Sequence, residues 1–230
     1  MNPPFRAFHL APLLASVLLP PAELAAQVVS AGAVIAAPRS GVRVGGVTER
    51  VDGLWAGLVL DVRVGRFTIS GTGTRGQLTG DGSAVPPRAA GEMSLSGRYE
   101  FRPWLGFDLR YAARAFSSAA GFQRWDCVGV GATASRDLGT PSVRAFASLA
   151  YMPVVTVTGQ GRPSLAVASD VGLSLAPNRF PITLELNYRI DRFRFPGPVA
   201  RSEQFEALAL SLGVRFRRRD GRWRLGAGRE

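Results

Sequence analysis

Ten charged residues stand at alternating positions of the chain: Asp61, Glu100, Asp108, Asp170 and Glu185 against Arg63, Arg98, Arg110, Arg114 and Arg189. Each lies on the polar side of a segment in which apolar and polar residues alternate, so a shared fold could turn them all to one interior. Five charges of each sign in a narrow space pair, because an unpaired buried charge is costly and the planar guanidinium can bridge two carboxylates. The leading reading is a salt-bridge and water network that fills and stiffens the interior. The other is the lining of a narrow polar pore. A carboxylate pair such as Glu185 with Asp170 could do acid–base work, but arginines this near favour ion pairing.

Composition narrows the chemistry further. The chain has 230 residues, 28 basic and 17 acidic, with net charge +11; every basic residue is arginine. His9 is the single histidine and Cys127 the single cysteine. One cysteine excludes an intramolecular disulfide and a cysteine-cluster zinc site. Cys127 has inward parity in a Gly/Ala-rich segment, where a small packing residue is expected. The N-terminus reads MNPPFRAFHLAPLLASVLLPPAELAAQ. Arg6, the apolar run Leu10–Leu19, the prolines that end it and the small residues before Gln27 make a secretory signal, cleaved after Ala26. The run is shorter than the roughly 20 residues a spanning helix needs. Export removes His9, leaving neither histidine-based catalysis nor a histidine metal site. No acidic cluster has calcium-ligand spacing, so no cofactor and no metal are expected. The tail RRRDGRWRLGAGRE carries six arginines against two acids, a net of 6 − 2 = +4. Nucleic-acid binding does not fit an exported chain; contact with anionic headgroups, or a solvated tail, does.

The elements that position these residues are strands. Leu208, Leu210, Leu212, Val214 and Phe216 alternate with small and charged residues, and Ile182–Asp191, Leu105–Arg114 and Leu58–Val64 repeat the pattern. A helical period would mix Glu185 and Arg189 with the leucines. Ten strands are predicted: 41–50, 54–64, 66–78, 91–102, 104–116, 123–134, 142–157, 164–176, 180–194 and 203–216. Eight is the alternative. Residues 27–40 are expected to form an N-terminal periplasmic lead, 41–216 the barrel and 217–230 an Arg-rich tail. Tight connections at Gly65, Pro103, 135–141 and 177–179 alternate with mostly longer ones at 51–53, 79–90, 117–122, 158–163 and 195–202.

Alternation leaves two architectures open. A soluble exported barrel would turn the Leu/Val face inward around an apolar ligand; a transmembrane barrel turns it toward lipid. The strand lengths, small polar-face residues, unequal connections and aromatics near strand ends (Phe101, Trp104, Phe180, Phe193, Phe195) favour the second. In these features the sequence resembles small outer-membrane β-barrel proteins of Gram-negative bacteria, of the outer-membrane protein A, X and W type. The resemblance covers roughly 41–216 and includes a terminal strand ending in the aromatic Phe216. It implies an all-β, antiparallel up-and-down barrel in the cell envelope, with outer-membrane lipid and the barrel assembly machinery as partners. Enzymatic barrels of this kind use a histidine. Its absence from the mature chain implies a non-enzymatic, structural role with possible porin-like, narrow-pore behaviour. The longer loops 79–90 and 195–202 are the candidate surface for an extracellular ligand, which the sequence does not name.

Overall fold

The computed structural model describes residues 27–80, 87–118, 121–177, 179–219 and 222–225. The predicted export segment and the centre of the predicted 79–90 loop lie outside these residues. The strands are β1 (Gln27–Val44), β2 (Val47–Val64), β3 (Phe67–Gly80), β4 (Arg88–Arg102), β5 (Leu105–Ser118), β6 (Gly121–Leu138), β7 (Thr140–Val157), β8 (Leu165–Leu175), β9 (Ile182–Phe195), β10 (Arg201–Arg219) and β11 (Arg222–Leu225). Each pairs antiparallel with the next, and β1 pairs with β10 from Val28↔Arg217 to Val44↔Arg201. The result is a closed ten-strand barrel, in which closure removes the exposed edges of an open sheet. β11 continues the sheet on β10 beyond the start of β9.

The first hairpin differs from the predicted one. Residues 27–40 are not a lead: they belong to β1. Gly45 and Gly46, predicted inside a strand, form the β1–β2 turn with φ of 55° and 94°. Consecutive positive φ values suit primed hairpin turns, and glycine adopts them without a Cβ penalty. The predicted connection 51–53 is interior to β2. Residues 217–219 and 222–225 form strand rather than tail. The connections are also less unequal than expected. At the end away from the termini, 45–46 is as short as 65–66 and 103–104 at the other end, while 176–181 is a longer one there.

Two prolines mark irregularities in the ladder. Pro38 of β1 has no N–H to donate, and β1–β2 pairing lapses between Ala36↔Trp55 and Arg39↔Asp52. Pro153 sits where β6–β7 pairing shifts from Val128↔Val154 to Val130↔Tyr151, a bulge that turns both Met152 and Val155 to the interior.

The Leu/Val face points outward. Leu58, Leu149 and Leu212 are 72%, 65% and 55% exposed, and the same face continues through Leu109, Leu173, Leu186 and Leu210. The soluble barrel with this face inward is therefore not the arrangement adopted. Phe67, Tyr99, Phe101, Trp104 and Phe107 cluster on the outside at the end where the termini lie, with ring centroids of Phe67 and Tyr99 4.9 Å apart. Phe193 and Phe195 do not join a girdle: at 4% and 8% exposure they lie inside the barrel. Moving Leu212→Arg onto the outward face at mid-strand is expected to cost about 2–4 kcal/mol of stability in a bilayer. Val199→Arg, in the β9–β10 connection, is expected to change it by under about 0.5 kcal/mol. Equilibrium unfolding from lipid vesicles measures both.

Candidate functional site

Chemistry-bearing side chains converge in the lumen. Antiparallel strands alternate direction, so residues far apart in sequence share a level. Four ionic levels rise from the end that holds the termini. At the mouth Arg63 donates to Glu100 at 2.7 Å, and Arg144 links Glu100 (4.0 Å) with Asp137 (3.0 Å). Above it, Arg98 Nε donates to Asp108 Oδ1 at 2.6 Å and Arg98 Nη2 to Thr133 Oγ1 at 3.1 Å. The Thr133 hydroxyl donates in turn to Asp108 Oδ2 at 2.5 Å. The next level repeats this triangle with other strands. Arg110 donates to Asp170 (2.8 Å) and Ser148 (3.2 Å), and Ser148 Oγ donates to Asp170 at 2.7 Å. In each triangle the hydroxyl accepts from the guanidinium and donates to the carboxylate, so no strong group is left dry.

The fourth level crosses the barrel. Arg189 of β9 grips Glu92 of β4 through two bonds of 2.7 and 2.6 Å. These strands are five apart in a ten-strand ring, hence diametrically opposed. Arg114 of β5 donates from Nε to Glu92 at 2.7 Å and from Nη2 to Asp191 at 2.7 Å. Two arginines and two carboxylates form a neutral cluster whose side chains are 6–18% exposed. Directly against it, the Phe205 ring lies 3.4 Å from Arg114 Cζ and 5.4 Å from Arg189 Cζ. A guanidinium over an aromatic face gains cation–π attraction when both are desolvated.

Phe205 also begins an apolar zone in the half of the lumen away from the termini. It packs on Trp55 (5.7 Å between rings), with Leu78, Val51 and Ala36 around them. Trp125 packs on Phe193 (4.7 Å) and Phe195 (6.0 Å), with Cys127, Met152, Val155 and Val157. Phe116 touches both clusters. Between them a cavity bordered by Arg114, Trp125, Glu203 and Phe205 holds about 10 Å³, the room of about one water.

Of the ten charges singled out in the sequence, Arg63, Glu100, Arg98, Asp108, Arg110, Asp170, Arg114 and Arg189 enter these levels. Asp61 and Glu185 form no ion pair among the described residues. Glu185 and Asp170 are not joined as an acid–base pair; Asp170 is held by Arg110 and Ser148. Glu92 and Asp191, central to the crossing, were missed, although both have inward parity. The aromatic zone was missed because Trp and Phe at strand ends read equally well as interfacial. Phe216 faces outward on β10, paired with Val29 of β1 and Leu225 of β11. Among the described residues no group of three His, Cys, Asp or Glu side chains could hold a metal.

No protein-family model and no curated protein matches the sequence. Solved structures do. The outer membrane protease OmpT from Escherichia coli aligns with a TM-score of 0.50 at 12% identity, over 83% of this chain and 97% of that one. Neisserial surface protein A aligns with 0.38 at 13%, over 82% and 97%. The translocator domain of the autotransporter NalP from Neisseria meningitidis aligns with 0.39 at 12%, over 83% and 88%. The fold is that of outer-membrane β-barrel proteins, closed from ten antiparallel strands.

Proposed function

We propose that this chain is a bacterial outer-membrane barrel that works without catalysis, as a structural element of the envelope with a lumen sealed against solute flow. The observation that carries this reading is the Glu92–Arg189 fork across the full width of the barrel, capped by the aromatic zone around Phe205. Charge alone could line a wet pore. A neutral, desolvated cluster under packed Trp and Phe side chains instead blocks water, because passage would require breaking both layers. The outward Leu/Val face supplies the lipid contact, and the N-terminal signal supplies export. The stretch of β10 that carries the outward Phe216 is the element offered to the assembly machinery. A non-catalytic role is supported by two features: residues 27–230 contain no histidine, and most lumen carboxylates are occupied by arginine. Membrane fractionation with heat-modifiable gel mobility tests the location. Recovery in the soluble periplasm without a mobility shift would overturn it.

Two further outcomes follow for the sealed lumen. In planar bilayers the wild-type chain is expected to give no resolvable single-channel steps, and Trp125→Ala combined with Phe205→Ala is expected to introduce them. Steps of porin size from the wild type would reject the seal and favour the narrow-pore reading. Glu92→Gln is expected to destabilise the folded barrel by about 3–5 kcal/mol, because two buried guanidiniums lose their shared partner. Arg63→Gln, whose side chain is 41% exposed in its pair with Glu100, is expected to cost under about 1 kcal/mol. Urea unfolding curves compare the two.

A further inference from the structure

The outer surface carries a second set of arginines, apart from the ion-pair levels of the lumen. The outward residues of β9, β10, β1 and β2 align in rows. Leu186, Leu210, Ile35 and Ala56 form an apolar row. Two rows further from the termini the composition changes: Glu206 lies beside Arg39, which lies beside Asp52. The next row is Arg192, Gln204, Gly41 and Arg50, and the one after it Arg194, Ser202, Arg43 and Thr48. Glu206 accepts from Tyr188 and Gln204, and Gln204 accepts from Arg192. Arg43, Arg50 and Arg194 are exposed and make no hydrogen bond or ion pair among the described residues, and Arg39, also exposed and without a hydrogen bond there, attracts the neighbouring Glu206.

Gly41 is the centre of this arrangement. Arg39 and Arg43 flank it on its own strand, two residues to either side and on the same face, and Arg50 stands opposite it on β2. A Cβ added at Gly41 would meet nothing within 4 Å. The spot is thus free of side chain, with arginines at three neighbouring outward positions and Gln204 on the β10 side, a setting that suits a tetrahedral oxyanion, for which arginine forks are well matched. Its height narrows the source of that anion. Glu206 is the outward position next to Leu208, the last residue of the apolar run on β10, so Gly41 lies about two rows above the lipid belt. At roughly 3.3 Å per residue on a tilted strand this is about 10 Å or less. Headgroups occupy that depth.

We infer that the Gly41 surface, with Arg39, Arg43 and Arg50, binds the phosphate of lipid headgroups in the leaflet away from the termini. The inference rests on the membrane-barrel reading above, and charge complementarity and continuity with the lipid-facing belt select the occupant. It is tested with the full chain folded in neutral detergent micelles. The temperature at which the folded gel-mobility form disappears is read with added phosphatidic acid, phosphatidylcholine or inorganic phosphate. Phosphatidic acid is expected to raise it by several degrees, and the other two are not. The rise is expected to vanish in Arg39→Gln/Arg43→Gln/Arg50→Gln and in Gly41→Glu, which sets a carboxylate at the spot while keeping every arginine. It is expected to persist in Arg66→Gln/Arg136→Gln, near the opposite end. No rise in the wild type, an equal rise in the variants at the Gly41 surface, or an equal rise with inorganic phosphate alone would overturn the inference. Failure of the membrane-barrel reading is read separately, as absence of the folded mobility form in every micelle.

Discussion

A ten-strand ring leaves an interior too wide for most side chains to meet their opposite neighbours, and the Arg189–Glu92 fork spans it, together with the stacking of Arg114 of β5 on Phe205 of β10. Only long side chains reach, and only a planar, doubly bonded pair fixes both ends. Around it the remaining lumen falls into place. Arg114 shares the same carboxylate and brings in Asp191; its other face rests on Phe205; Phe205 in turn anchors Trp55. Paired charges toward the termini and packed aromatics toward the far end meet at this level.

The lumen is zoned along its axis, and the zoning has a physical basis. Toward the termini, hydroxyl and carboxylate groups take up each guanidinium in the Arg98 and Arg110 triangles, so the buried Asp108 and Asp170 are each paired and hydrogen-bonded. Toward the far end the same inward positions carry Trp55, Leu78, Trp125 and Met152, all under 10% exposed. A single rule of alternation thus builds two interiors of opposite chemistry.

Alternation made the barrel legible in the sequence. Leu208–Phe216 and Ile182–Asp191 are strands in the expected register of faces, and the inward parity of eight of the ten charges in the ionic levels follows from it. Parity does not say which inward residues meet across the lumen, because that depends on ring closure and strand stagger; it marks Glu92 and Asp191 as inward but not as the partners of Arg189 and Arg114. It also does not rank apolar residues at strand ends, so Phe193 and Phe195 read as interfacial. The first hairpin was misread because residues 27–40 abut the export segment and contain Pro38, which weakens a strand pattern without ending the strand when the pairing can lapse locally.

Closure by β1 and β10 has a consequence for how the molecule forms. Val28 pairs with Arg217, so the seam joins stretches from nearly opposite ends of the described chain. Loop-closure entropy is then at its largest for the contact that completes the ring. Until that contact is made, two long edges display unpaired amides and carbonyls able to recruit a neighbouring molecule. Assembly is therefore a slow, non-local event in which β10 must find β1 across the intervening strands, and any agent that holds β1 open protects the chain until β10 arrives.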